Sequence, residues 1–195
     1  MKRFISIIVA AALLAPLHVL AATYSIDPAH TTIGFKVKHL MISNVKGIFE
    51  KFKGTVNIDE KDITRSKVYV SIEMASVNTS IVKRDDHLRS PDFFDVIRFP
   101  TMTFVSTRVE KAGADALKVT GDLTIKGVTR KVILNVEGPT GEIKSPQGDV
   151  KRGASATATI NRQEFGVSWS KRLDGGGVVV ADDVHISIDT ELARQ

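Results

Sequence analysis

Apolar and polar residues alternate along most of the chain from residue 22 onward. The clearest runs in which most apolar residues share one parity are Ile33–Val37, Val68–Met74, Leu117–Ile125, Val128–Val136 and Val178–Ile188. A period of two predicts β-strands with one buried face. Weaker candidate strands lie at 45–59, 101–110, 153–161 and 165–171. The pattern therefore predicts an all-β protein of roughly eight to ten strands, a number typical of a β-barrel or a β-sandwich.

Turn-forming residues separate these runs. Lys126-Gly127 stands between two strand patterns and predicts a tight hairpin, whereas 138–141 and 145–148 indicate a looser excursion. The glycine-rich segment 174–177 is typical of a loop tip. Because composition is even along the chain and no internal repeat occurs, we expect one domain over residues 22–195.

The alternation fails between Ser80 and Arg98, where charged residues cluster at 83–89. Ser90-Pro91-Asp92 has the order of an N-cap, a first-turn proline and an acidic residue of a helix N-terminus. This order predicts a short helix that carries Phe93 and Phe94 and ends before Pro100. We expect this helical insertion to cover one end of a barrel.

The first residues have the layout of a secretory signal peptide. Lys2 and Arg3 precede an apolar run that is too short to span a bilayer, and small residues follow it at Ala21 and Ala22. We expect a signal peptide over residues 1–21, cleavage after Ala21 and a periplasmic location. Loss of Lys2 and Arg3 lowers the formal charge from +5 to +3.

Composition narrows the function classes. The chain is 43% hydrophobic and 25% charged, which is ordinary for a packed globular domain, and it contains no cysteine. The missing cysteine excludes disulfide bonds, thiolate metal sites and cysteine nucleophiles. The modest positive charge and the predicted export argue against a nucleic-acid partner.

Motifs for catalysis or cofactor binding are missing as well. His30, His39, His87 and His185 do not have the spacing of a metal site, and the carboxylates near Asp85 are better explained by helix capping and ion pairs. No nucleophile elbow or phosphate-binding glycine loop occurs. We therefore predict no catalytic residues, no metal and no cofactor.

A closed barrel of eight strands is either filled by its own side chains or holds one small ligand. Ala154, Ala156 and Ala158 share one face of a predicted strand. Small side chains there leave room for a ligand if they face inward, or they pack against large neighbours. Both interpretations stay open at this point.

Motifs along nearly the whole exported chain resemble the YceI-like proteins. They are Tyr24–Thr31 running into Ile33–His39, then Gly47–Gly54, Ser76–Thr79, Arg84–Asp95, Phe99–Phe104, Gly121–Thr129 and Asn161–Gly166. The resemblance implies a lipocalin-like antiparallel β-barrel whose elongated pore holds a long-chain lipid, typically a polyisoprenoid. It implies no catalysis.

We infer candidate site residues from their expected placement in such a barrel. The candidates for the apolar wall are Phe35, Val37, Phe49, Met102, Phe104, Phe165 and Trp169. The candidates for the cover and mouth of the pore are Arg84, His87, Arg89, Phe93 and Phe94. Arg84 and Arg89 either meet the anionic head of a prenyl phosphate or pair with neighbouring aspartates.

The expected function is binding, sequestration or transport of a long-chain isoprenoid or related lipid in the periplasm. Two alternatives remain: an electron-transfer accessory that holds a prenylated quinone, and a lipid-modifying enzyme. The partners considered besides the lipid are the inner membrane, a membrane cytochrome and a second copy of this chain.

Overall fold

A computed structural model describes residues 21–195 of the chain. The signal peptide predicted for residues 1–21 lies outside the described residues except for Ala21. The strands are β1 Ala22–Ile26, β2 Thr32–His39, β3 Ser43–Phe49, β4 Phe52–Ile58, β5 Lys67–Glu73, β6 Val77–Asn78, β7 Thr101–Lys111, β8 Ala116–Ile125, β9 Val128–Glu137, β10 Ile143–Lys144, β11 Val150–Asn161 and β12 Val180–Arg194. The α-helix is α1 Val82–Arg89.

The strands close into an antiparallel barrel, which confirms the predicted fold class. Its eight-membered ring runs β1, β4, β5, β7, β8, β9, β11 and β12, and β12 returns to β1. Every neighbouring pair is antiparallel. Closure pairs the edge strands with each other, so the ring has no open edge.

Two breaks bend the first strands of the barrel. A 3₁₀ turn at Pro28–His30 separates β1 from β2, and both pair with the long strand β12, through Leu192–Arg194 and Val180–Asp189 respectively. Residues 50–51 likewise separate β3 from β4. As a result β2 and β3 continue beyond the ring, and β3 pairs with the short strand β6.

We call the end that contains the turns 40–42 and 126–127 the upper end, because β2 and β8 finish there while β3, β7, β9 and β12 begin there. The segments 79–100 and 162–179 lie at this end. The Lys126 ammonium donates to the carbonyl oxygens of Pro91 and Gly166 and so ties both segments to the β8–β9 turn. The lower end is closed by a separate buried cluster of Tyr24, Ile58 and Leu192.

The predicted position of the helix is wrong. The helix spans Val82–Arg89, and Ser90 is its C-terminal cap, where its backbone N–H and its hydroxyl both donate to the carbonyl of His87. The helix stops there because a residue before proline is disfavoured in the α conformation. Phe93 and Phe94 therefore lie in the turns after the helix.

The weak candidate strand at 165–171 is also wrong. A 3₁₀ turn at Arg162–Phe165 ends in Gly166 with φ of 72°, and no strand follows before β12 within the described chain. The left-handed φ of Gly166 reverses the chain, because glycine adopts that conformation without a Cβ clash.

No helix among residues 21–195 combines the length and the apolar character that a membrane crossing requires.

Candidate binding cavity

An elongated cavity of about 410 Å³ lies inside the barrel. Leu192 near the lower end and Val180 near the upper end of β12 both line it. At ~3.4 Å per residue this stretch of strand is roughly 40 Å long, or about 30 Å along the axis of a barrel with tilted strands. The volume falls within the ~300–1,000 Å³ of ligand pockets, and spread over that length it makes a narrow channel.

Strand alternation explains why the wall is apolar. Val68, Val70 and Ile72 on β5 face the cavity, as the period of two requires, while Tyr69 faces outward. All seven side chains predicted for the wall line the cavity: Phe35, Val37, Phe49, Met102, Phe104, Phe165 and Trp169. Their role toward a ligand stays a prediction.

Small residues on β11 leave part of the interior empty. Ala154 and Ala156 line the cavity, and Ala158 is buried in the core beside it. Ala156 stands opposite Val136 on β9 and Ile188 on β12, which also line the cavity. The alanines therefore face inward next to unfilled space.

The polar residues of the upper cavity come from β2, from α1 and from the 3₁₀ turn at Arg162–Phe165. Lys38 and His39 on β2 and Arg84 and His87 on α1 all line it. Because Lys38 is exposed, the cavity reaches solvent at this end.

Arg84 is held in place by Thr79. Its Nε donates to Thr79 Oγ1 at 2.7 Å and its Nη2 to the Thr79 carbonyl at 2.8 Å. The buried carboxylate of Asp85 accepts from the backbone N–H and the hydroxyl of Thr79. Within residues 21–195, Nη1 of Arg84 has no hydrogen-bond partner, so this side of the guanidinium is available to a ligand.

Arg89, the other predicted head-group residue, lies elsewhere. Its guanidinium donates to the carbonyls of Ala75 and Val77 at 2.8 Å and to Asp86 at 3.0 Å. It is not among the residues that line the cavity. The structure thus separates Arg84, on the cavity, from Arg89, which anchors α1 to the segment before it.

Aromatic side chains cover the cavity at the upper end. The rings of His87, Phe93 and Trp169 pack together with centroid distances of 5.0 to 5.3 Å, and the His87 ring lies edge-on to both others. His87 Nε2 also lies 2.9 Å from the carboxylate of Asp92. Phe94 lies against Phe49 of the wall at 6.2 Å. Residues from the two inserted segments therefore form one cover.

Arg162 is a buried cation that the sequence-based site did not include. It donates to the carbonyls of Val167, Trp169, Val180 and Ala181 and to the carboxylate of Asp182. Burial lowers the pKa of its guanidinium, while Asp182 opposes that shift. It lines the cavity and holds the loop with Trp169 against the start of β12. Only its place in the motif Asn161–Gly166 could have indicated it.

Near the lower end, Asp27, His30 and Glu191 bring three possible metal-ligand atoms together, the one such group found in the described chain. The ammonium of Lys151 lies 2.8 Å from Asp27 and 3.0 Å from Glu191. Hydrogen bonds from Lys151 and His30 hold the pKa of Asp27 well below its usual range. A lysine thus supplies the positive charge among these carboxylates.

The closed barrel with a partly empty apolar interior defines a lipocalin-like barrel, the class whose interior accommodates one small ligand. The model of the YceI-like domain matches residues 24–192, so the chain belongs to the YceI-like family.

Similar proteins agree with this assignment. The chain is 38% identical to a UPF0312 protein of Staphylococcus aureus (strain USA300) over 87% of this chain and 96% of that protein. The crystal structure of a Campylobacter jejuni YCEI protein is 36% identical over 87% of this chain and 96% of that one, with a TM-score of 0.69. A polyisoprenoid binding domain from Saccharophagus degradans has the same fold at 17% identity, with a TM-score of 0.64 and coverage of 90% and 99%.

Proposed function

We propose that this protein binds a long-chain isoprenoid or related lipid inside the barrel and sequesters or transports it in the periplasm. The observation that carries the proposal is the long, narrow, apolar cavity. A flexible hydrocarbon chain fits such a shape, whereas a compact polar metabolite does not. The S. degradans domain of the same fold is named for polyisoprenoid binding, which supports the ligand class.

The distribution of polar groups orients the ligand. The lower cavity is lined by Ile26, Ile58, Ile63 and Leu192, and the cations Lys38, Arg84 and Arg162 all lie toward the upper end. A lipid tail therefore fits the lower cavity and a polar head group the upper end. Each buried CH₂ contributes about 0.8 kcal/mol, so a chain of several isoprene units offsets the cost of being ordered.

Native mass spectrometry of protein purified without detergent tests the proposal. We expect an added mass that extraction identifies as a lipid, and saturable binding when stripped protein is titrated with a prenyl alcohol. A ligand-free protein that ignores the prenyl alcohol would overturn the proposal. The same spectrum reports the number of subunits.

Two further readouts separate the other functions. A bound prenylated quinone would be detected by its mass and its absorbance. This result would favour the electron-transfer accessory. Conversion of the added lipid to a product of different mass would favour the lipid-modifying enzyme. We expect the bound lipid to be released unchanged.

A further inference from the structure

Large apolar side chains are most exposed at the upper end of the barrel. Within residues 21–195 the three most exposed are Ile97 at 93%, Ile42 at 83% and Val82 at 76%. Each lies close in the chain to residues of the cavity: Ile42 follows His39, Val82 precedes Arg84, and Ile97 follows Phe94. Exposed apolar residues grouped at one end of a molecule indicate an interaction surface.

The β2–β3 turn has a backbone that its residues do not favour. Leu40 and Met41 have φ of 50° and 62°, and the N–H of Ile42 donates to the carbonyl of His39 at 3.1 Å. Consecutive residues with positive φ are typical of tight hairpin turns that prefer Asn-Gly. The β8–β9 turn follows that preference with Gly127 at φ of 76°. Leucine and methionine are strained there.

The β2–β3 turn thus combines backbone strain with exposed apolar surface. Folding alone favours neither the backbone strain nor the exposed apolar surface, since Asn-Gly at these positions would remove the strain and the apolar side chains together. Strained residues that persist in this way point to function. The exposed apolar side chains of residues 40–42 are therefore expected to serve a function.

Unpaired cations surround these apolar residues. Lys38, Lys46, Lys83, Lys171 and Arg172 have no carboxylate within 4.0 Å in the described part of the chain. Val179 links Lys171 to the β2–β3 turn. The N–H of Val179 donates to the carbonyl of Lys171, and the carbonyl of Val179 accepts from the N–H of Leu40. Asp85, Glu164, Asp174 and Asp183 are the carboxylates of this end that likewise lack an ion pair, and Asp85 is buried against Thr79, so positive charge predominates among the exposed groups.

We propose that the upper end of the barrel docks on the surface of an anionic lipid bilayer. The apolar tips Leu40–Ile42, Ile81–Val82 and Ile97 enter the interface, and the surrounding cations meet acidic head groups. A bilayer fits this surface because separate apolar tips interleaved with lysines need no matching pocket. The proposal builds on the proposed function, since docking would bring the opening of the cavity against the membrane.

Vesicle co-sedimentation tests the proposal. We expect the purified protein to sediment with vesicles of equal parts phosphatidylglycerol and phosphatidylcholine, and at least about tenfold more weakly with phosphatidylcholine alone. The variant Leu40→Asn/Met41→Gly/Ile42→Thr should weaken binding to the anionic vesicles about tenfold, equal to ~1.4 kcal/mol. It should unfold at the same or a higher temperature, because Asn-Gly suits the turn.

The control is Ile143→Thr, which removes an apolar side chain 66% exposed on β10 at the lower end. It should bind the vesicles like the unmodified protein. The proposal is overturned if the protein stays in the supernatant with anionic vesicles, if the triple variant binds as well as the original, or if Ile143→Thr loses binding equally. If the protein stays in the supernatant but cross-links to another protein through residues 40–42, the partner of this surface is a protein and not a bilayer.

The bound-lipid content separates this inference from the proposed function. The triple variant should carry the same lipid by native mass spectrometry, because residues 40–42 do not line the cavity. Docking without a bound lipid would overturn only the proposed function. A bound lipid without docking would overturn only the inference.

Discussion

The ring of Phe104 lies directly over Gly121, so that a Cβ atom at Gly121 would be 2.3 Å from Cζ of the ring. Phe35 lies over Gly47 in the same way, with its Cζ 2.4 Å from the corresponding Cβ position. Both glycines occupy inward-facing positions, between Val119 and Leu123 on β8 and between Val45 and Phe49 on β3. Each ring therefore occupies the space that a side chain at the glycine would fill.

Replacing Gly121 by alanine should therefore destabilise the protein. The new Cβ would meet the Phe104 ring and also the carbonyl oxygen of Val105 at 2.8 Å, and that oxygen belongs to the backbone and cannot swing aside. We expect a loss of about 1–3 kcal/mol in the free energy of unfolding, measured by chemical denaturation. Gly153→Ala is the control, because its nearest neighbour is 3.8 Å away, and it should change stability by less than ~0.5 kcal/mol.

Much of the barrel could be predicted from the sequence because strand alternation is a local property. On β5 and β8 the parity of the apolar residues alone identifies the side chains that face the cavity. The inward-facing alanines of β11 were visible as a pattern, but whether space remained beside them depends on side chains from β9 and β12. Cavity volume is set by such distant neighbours, so the sequence alone does not decide whether the alanines leave room for a ligand or pack against large neighbours.

The sequence pattern predicts the helix at the wrong position because the stability of the helix comes from tertiary contacts. No side chain caps its start, whereas the buried Asp85 binds Thr79 and Arg89 binds two carbonyls outside the helix. The order Ser90-Pro91-Asp92 resembles a helix start but follows the helix end. Propensity and capping signals are weak guides where such contacts dominate.

Blocking the channel should weaken lipid binding without unfolding the protein. Ala156→Leu adds side-chain volume to an inward-facing position beside empty space, so we expect at least about tenfold weaker binding of a prenyl alcohol, with the free energy of unfolding within ~1.5 kcal/mol of the original. Thr157→Leu adds similar bulk on the exposed outer face of β11 and should leave affinity unchanged. Equal affinities of all three proteins would place the lipid outside the barrel.

The two arginines predicted for the head group should behave differently. Arg84→Gln removes a charged donor that lines the cavity, so it should weaken a prenyl phosphate about tenfold and the matching prenyl alcohol by less than ~3-fold, because charge-assisted bonds to an anion are lost. A fluorescence titration with both lipids measures the difference. Equal losses for both lipids would show that Arg84 does not bind the head group.

Arg89→Ala should instead act on stability. It leaves the carbonyls of Ala75 and Val77 without their donor, so we expect a loss of about 1–3 kcal/mol in the free energy of unfolding. The ratio of phosphate to alcohol affinity should stay that of the original protein. A changed ratio of phosphate to alcohol affinity would show that Arg89 contributes to binding of the head group.

Lys151 should stabilise the fold in a pH-dependent way through Asp27. The hydrogen bond from Lys151, followed by that from His30, lowers the pKa of Asp27 below its usual value of 3.8. A carboxyl whose pKa is lower in the folded state stabilises the protein above the unfolded pKa, and the stabilisation disappears as the pH falls from 3.8 toward the folded value. Lys151→Met should therefore lower Tm by a few degrees at neutral pH, and the difference from the original protein should shrink in acid below 3.8.

Thermal unfolding followed by circular dichroism at several pH values measures this difference. His30 is present in both proteins, so its hydrogen bond with Asp27 is common to the two sides of the comparison. Lys131→Met provides the control, because Lys131 forms a 2.9 Å ion pair with Asp122 in which both side chains are exposed, and exposed pairs contribute little to stability. A Tm difference for Lys151→Met that stays constant into acid would show that Lys151 acts through packing of its side chain and not through the charge of Asp27.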